Sequence, residues 1–232
     1  MGTRGLVLRL RKLTIITALL FAVSGLQAQT PQQWRDSLAV LNRMIGEQPR
    51  STDLRLKKAA VNIELNQWEY AVEEYGRVLS LDSRNLAALF YRAYALNTLR
   101  RYGEARADYE TFLQIAPVNL EARLGLATTL ENLGRNTDAL DQLNTAIQQF
   151  PQSAAAYAAR ALFEAKLKQV EPALYDWAEA IRLEPSNTGY VVSRVDLLLQ
   201  QGRRREARRE LDAAISRGEP RNNLKEWIDR CR

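Results

Sequence analysis

The sequence predicts an all-α fold made of repeated pairs of short helices, and three observations support this prediction. Apolar residues recur every three or four positions between Tyr91 and Pro117, as they do on one face of a helix. The same pattern returns at shifts of 34 residues along the chain. A proline, which cannot continue a helix, closes most of the repeats. A fixed period of this length is typical of stacked repeat architectures.

The alignment of these repeats gives five full units, predicted at residues 52–85, 86–119, 120–153, 154–187 and 188–219. Position 20 of the unit is alanine in all five, namely Ala71, Ala105, Ala139, Ala173 and Ala207. Small side chains let two antiparallel helices approach closely, because the distance between helices depends on the residues at their contact. Each unit is therefore predicted to be one helix hairpin.

Glycine and the chain ends complete this scheme. Gly134 and Gly202 stand at position 15, where the first helix must stop, with Asn66 as a substitute in the first repeat. Residues 29–51 are predicted to form a half-repeat with a single helix. Residues 220–232 begin where a sixth repeat would, and we expect one capping helix with a polar outer face.

This pattern resembles the tetratricopeptide repeat over residues 52–219 and in half-form from about residue 33. The period, the small residue at position 8, the alanine at position 20, the aromatic or leucine residue at position 24 and the final proline all match. Two features depart from it: position 4 lacks tryptophan, with Tyr157 as its one aromatic residue, and position 8 has alanine instead of glycine. The resemblance implies a right-handed α-solenoid whose concave groove binds another protein or peptide.

The N-terminal 28 residues have the layout of a secretory signal peptide. A basic stretch containing Arg4, Arg9, Arg11 and Lys12 precedes an apolar run of 14 residues, and Ala28 precedes the predicted cut. We expect an exported, periplasmic bacterial protein that begins at Gln29 and is soluble after cleavage. An uncleaved membrane anchor is the alternative, and we expect membrane contact only in that case.

The net charge of +6 is a weak indication of nucleic-acid binding. Without the four N-terminal cations the chain has 29 basic and 27 acidic residues. The basic run Arg203 to Glu210 is interleaved with glutamates and is interpreted as a solvated helix face. We expect no nucleic-acid partner, and the sequence leaves the oligomeric state open.

The chain contains no histidine and a single cysteine, Cys231. Histidine-based catalysis and histidine metal sites are therefore excluded, and one thiol cannot form an internal disulfide. No glycine-rich phosphate-binding loop occurs. We expect a non-catalytic protein without cofactor or metal.

Two alignment positions predict ion pairs inside the hairpins. Position 7 is a cation and position 23 a carboxylate in four repeats, and the repeat that loses one also loses the other. The predicted structural pairs are Lys58 with Glu74, Arg92 with Asp108, Arg160 with Asp176, and Arg194 with Glu210. Solvated faces that match by chance are the alternative.

A second apolar stripe on the first helices predicts the partner-binding groove. Its expected apolar contacts are Phe90, Tyr94, Leu124 and Leu162, and its expected polar contacts are Asn97, Thr128, Glu131 and Asp196. Tyr91, which lies beside this stripe, is also assigned to the groove. The alternative is that these residues pack neighbouring first helices together.

Three functions remain open on this evidence. The first is a protein-interaction scaffold or adaptor in the cell envelope. The second is a structural subunit of an outer-membrane or cell-wall assembly. The third is a glycan-binding accessory module, for which Tyr91 and Tyr94 could stack on sugars.

Overall fold

The computed structural model describes residues 30–231, so the predicted signal peptide lies outside the described residues. Within this range every regular element is a helix, which confirms the all-α fold class. Helix α1 spans Pro31–Glu47 and corresponds to the predicted half-repeat. The 3₁₀ helix Arg221–Leu224 and helix α12, Lys225–Arg230, lie in the predicted capping segment.

Five hairpins lie between these end helices. The first helices of the hairpins are α2 (Thr52–Glu64), α4 (Leu86–Thr98), α6 (Leu120–Asn132), α8 (Ala154–Lys166) and α10 (Thr188–Gln200). The second helices are α3 (Trp68–Leu81), α5 (Tyr102–Ile115), α7 (Asn136–Gln149), α9 (Val170–Leu183) and α11 (Arg204–Ser216). Each first helix therefore begins 34 residues after the previous one.

A side-chain cap starts every first helix. The residue before each one accepts a hydrogen bond from a backbone N–H of the first turn, which would otherwise lack a partner. These caps are Ser51, Asn85, Asn119, Ser153 and Asn187. Serine and asparagine recur there at the repeat period, a signal that the search for apolar positions missed.

A left-handed residue ends every first helix. The φ angles at position 15 are 57° for Asn66, 60° for Arg100, 72° for Gly134, 60° for Lys168 and 71° for Gly202. The next backbone N–H then bonds back to position 11, as from Arg101 to Leu96 at 2.8 Å. The glycines were predicted to stop the helix, but Arg100 and Lys168 take the same conformation without being residues that favour it.

Contacts divide the chain into two compact units, the first ending at Ile115 and the second starting at Ala116. In the first unit consecutive helices from α1 to α5 pack on one another. Its interior includes Tyr75 and Val78, with Trp34 and Leu38 packed against a smaller cluster at the N-terminal end.

In the second unit consecutive helices from α6 to α11 pack together, and α12 packs against α10 and α11. One core cluster runs from Ala154 to Ile228 and has Trp177 as its largest fully buried side chain. In both units the position-20 alanines are fully buried, as the close approach of the two helices requires.

Candidate partner-binding surface

The four predicted cation–carboxylate pairs are ion pairs in the structure: Lys58–Glu74, Arg92–Asp108, Arg160–Asp176 and Arg194–Glu210. Arg92 donates from Nε and Nη2 to the two oxygens of Asp108, at 2.7 and 2.6 Å. Arg160 holds Asp176 in the same two-point geometry, at 2.6 and 2.8 Å. Each pair ties the first helix of a hairpin to the second, so these residues are structural.

The third repeat replaces the pair in a way that the alignment did not predict. Arg123, one turn before Leu126, donates to the side-chain oxygen of Gln142 at 2.8 Å. The same guanidinium donates to the backbone oxygen of Pro117 at 2.7 Å. An arginine at position 4 therefore restores the link between the helices and also fixes the loop before them.

The first repeat uses both arrangements at once. Arg55, at position 4, donates to Glu74 and to the backbone oxygen of Pro49, at 2.9 and 2.8 Å. Lys58 and Arg77 also pair with the same carboxylate, each at 2.9 Å. Arginine at position 4 in both repeats is the sequence feature that indicates this link between the second helix and the loop before the first helix.

Two predicted groove residues of the first unit lie inside the packing of the hairpins. The ring of Phe90 contacts those of Tyr91, Tyr109 and Phe112, with centroids 5.2 to 5.9 Å apart. The ring of Tyr91 stacks on Tyr75 at 6.1 Å, and burial raises the pKa of its hydroxyl. Phe90 and Tyr91 are half-buried, and their rings pack against the second helices α5 and α3. The packing alternative expected contacts between neighbouring first helices, which is not what these ring pairs are.

Tyr94 is different, because 43% of its surface is exposed. Its ring packs edge-on against the ring of Trp68, with the two ring centroids 6.0 Å apart. Trp68 belongs to the first repeat and Tyr94 to the second. Asn97 is half-buried on the same helix. Trp68 was not part of the predicted groove, since it is the first residue of a second helix.

In the second unit the predicted groove residues separate into two groups. Thr128 is exposed and donates its hydroxyl to the backbone oxygen of Leu124, at 3.1 Å. Leu124 is half-buried, and Leu162 packs partly against the core. These three residues keep some surface for a partner.

Glu131 and Asp196 instead bond within the chain. Lys166 of the next first helix pairs with Glu131. Asp196 accepts from Trp227 Nε1 at 3.0 Å and from Arg230 at 2.6 Å, which fixes α12 to α10. The expectation that both carboxylates are open polar contacts is corrected accordingly, because each already has a cationic partner.

A buried acid at the centre of the fourth repeat was also missed. Glu164 occupies position 11, which is leucine in three other repeats, and its Oε2 has no hydrogen-bond partner. Its Oε1 lies 3.7 Å from Arg160 Nε. The pKa of Glu164 is raised to about 7, chiefly by burial and then by neighbouring Asp176, while Arg160 acts to lower it.

Two features are absent from residues 30–231. No group of three or more histidine, cysteine, aspartate or glutamate side chains is arranged there to hold a metal ion. No helix in that range combines the length and apolar character needed to cross a bilayer.

Comparison with known proteins gives consistent results. Two family models, both described as tetratricopeptide repeat, match residues 56–119 and 96–163. A tetratricopeptide repeat protein from Parabacteroides merdae superimposes with a TM-score of 0.64 at 20% identity, covering 86% of this chain and 78% of that one. The structure of YrrB, described as a TPR protein with an unusual peptide-binding site, has a TM-score of 0.57 at 22% identity, covering 76% and 91%.

The chain is a tetratricopeptide repeat protein. Tetratricopeptide repeats generally mediate binding to proteins or peptides. Human peptidyl-prolyl cis-trans isomerase FKBP4 is 32% identical over 80 residues, which are 34% of this chain. This chain spans 17% of the length of that isomerase, and the mouse protein gives a similar match over 18% of its length. The similarity to the isomerase therefore covers only a small part of that protein.

Proposed function

We propose that this tetratricopeptide repeat protein is a non-catalytic scaffold or adaptor of the bacterial cell envelope. It binds a partner protein or peptide on the exposed side of its first helices. The observation that carries this proposal is the exposed ring of Tyr94, supported edge-on by Trp68. Exposed aromatic side chains held rigidly by a neighbour are favourable anchors for a peptide, because they bury a large area at a small entropy cost.

The second unit contributes a more polar surface in this proposal. Leu124 and Leu162 offer partly buried apolar contacts, and Thr128 offers an exposed hydroxyl. Because Glu131 and Asp196 are already paired, charge recognition by these carboxylates is not part of the proposal.

Crosslinking in cells tests this surface. A photoreactive amino acid at Tyr94 is compared with one at Tyr175, a tyrosine on a second helix that is 63% exposed. We expect one partner protein to be captured from Tyr94 and not from Tyr175, as identified by mass spectrometry. Capture of the same protein from both positions, or from Tyr175 alone, contradicts binding on the first helices.

The location is proposed on the sequence of residues 1–28, with export to the periplasm and removal of that segment. Mass spectrometry of the protein purified from a periplasmic extract is expected to find Gln29 as the first residue. Recovery of the uncleaved chain in the membrane fraction supports the anchored alternative instead.

A further inference from the structure

A cleft in the second unit lies apart from the first-helix surface. It has a volume of about 310 Å³ and is formed by α9, α10 and α11. We call it the arginine cleft; its charged lining residues are Arg182, Arg194, Glu210 and Arg217, and its apolar lining residues are Ala178, Ile181 and Pro185. No predicted binding residue belongs to it.

The ion pair inside the arginine cleft is more exposed than its equivalent in the fourth repeat. The side chain of Glu210 is 25% exposed, whereas that of Asp176 is 1% exposed. Arg194 reaches Glu210 through Nη1, and its Nε has no acceptor. Arg160, by contrast, uses Nε and Nη2 together on one carboxylate. This Nε is buried, so a ligand can reach Arg194 only through the rest of its side chain, which is 23% exposed.

The other two arginines leave the arginine cleft positively charged. Arg217 lies just after α11, is exposed, and forms no ion pair with a carboxylate of the described chain. Arg182 is exposed and pairs with Glu179 of its own helix at 2.9 Å. The lining of the arginine cleft thus contains three guanidinium groups and one carboxylate, that of Glu210.

The equivalent cleft of the first unit shows that this charge does not follow from the repeat alone. That cleft, of about 320 Å³, is formed by α1, α2 and α3. In the repeat alignment Gly46 stands in place of Arg182 and Leu81 in place of Arg217. Its lining contains two cations, Lys58 and Arg77, and two carboxylates, Glu73 and Glu74, so the charges of that lining balance.

We propose that the arginine cleft binds the carboxylates of a short acidic peptide segment of another protein. Guanidinium groups recognise carboxylates through paired N–H donors, and the guanidinium of Arg217 is exposed and forms no ion pair with a carboxylate of residues 30–231. Ala178 and Pro185 border the charged groups and contact the aliphatic parts of such a segment, which a free inorganic anion lacks. This site is independent of the proposed first-helix surface.

Fluorescence anisotropy with the purified chain lacking residues 1–28 tests the proposal. The probe is a fluorescein-labelled tetrapeptide of three glutamates and one leucine, with blocked ends, and its glutamine counterpart is the control. We expect the glutamate peptide alone to bind, and Arg217→Ala to weaken it by about tenfold, the loss of one charge-assisted contact. Arg205→Ala removes an equal charge from an exposed residue outside the cleft and is expected to change binding by less than about twofold.

Four results overturn the proposal. These are no binding of the glutamate peptide, equal binding of the glutamine peptide, equal weakening by Arg205→Ala and Arg217→Ala, or displacement of the peptide by an equal concentration of inorganic phosphate. Arg182→Ala provides a second variant, and circular dichroism of each variant shows whether the fold is kept. None of these results bears on capture from Tyr94, so the two sites fail separately.

Discussion

Repeats 2 and 4 have the same hairpin skeleton but different centres. In both, an arginine at position 7 holds an aspartate at position 23 through two hydrogen bonds. At position 11, however, repeat 2 buries Leu96 and repeat 4 buries Glu164. The skeleton thus tolerates an ionisable group at a core position when a cation lies beside it. That group makes the stability of one repeat depend on pH.

The largest effect is expected from removal of the paired aspartates. Asp108→Ala leaves Arg92 without its partner and is expected to lower the free energy of unfolding by about 3 kcal/mol. Asp176→Ala is expected to cost less, because Glu164 lies 3.7 Å from Arg160 and can accept from it. Urea unfolding followed by circular dichroism at pH 8 measures both.

Asp138→Ala is the matched control, because Asp138 pairs with Arg135 at the surface. Its cost is expected to be below about 1 kcal/mol. If Asp176→Ala destabilises the protein more than Asp108→Ala does, Glu164 does not replace the lost carboxylate.

A smaller, stabilising effect is expected when repeat 4 is made like repeat 2. Glu164→Leu is expected to raise the free energy of unfolding by about 2 kcal/mol at pH 8, where the buried carboxylate is charged. The folded pKa of about 7 lies above the value of 4.5 for an unperturbed glutamate. Between pH 4.5 and about pH 7 the folded state therefore binds more protons than the unfolded state does. The wild type accordingly loses stability as the pH rises across this range.

The gain from Glu164→Leu should accordingly shrink toward pH 5, as thermal unfolding at a series of pH values measures. Glu164→Gln keeps the shape and removes the charge, so it should show the same pH dependence relative to the wild type. A constant difference across this range would mean that Glu164 titrates normally.

The smallest effect concerns a feature that repeats 2 and 4 share. Arg100 and Lys168 adopt φ values of 60° that glycine accepts without strain. Arg100→Gly and Lys168→Gly are each expected to raise the free energy of unfolding by about 0.5 to 1 kcal/mol. Gly134→Ala is the reverse control, because the φ of 72° at Gly134 strains any residue that has a Cβ. An added Cβ meets no atom within 4 Å, so the expected destabilisation of about 1 kcal/mol comes from backbone strain alone. Destabilisation by both glycine variants would show that side-chain contacts outweigh backbone strain there.

The sequence predicted the hairpins and the four ion pairs because each rests on local periodicity and on positions that recur in every repeat. Alanine at position 20 and the cation and carboxylate at positions 7 and 23 could be compared across five copies. The substitute link through Arg123 could not be found in this way, because it uses a different position to reach the same second helix.

The candidate binding surface was less predictable. A helical stripe shows which residues share a face, but it does not show which neighbour covers that face. Phe90 and Tyr91 were both predicted to line the groove, yet aromatic side chains of adjacent helices half-bury them, while Tyr94 three residues later stays exposed. Likewise, the bonds of Asp196 to Trp227 and Arg230 depend on where the C-terminal helix packs.

The sequence by itself determined the helix pairs, their lengths and their register, because caps, small residues and charge pairs act over one hairpin. Tertiary structure alone decided which side chains remain open to a partner and which acids lose contact with water. Burial and pKa depend on the distances between packed helices, and a periodic pattern in the sequence does not contain those distances.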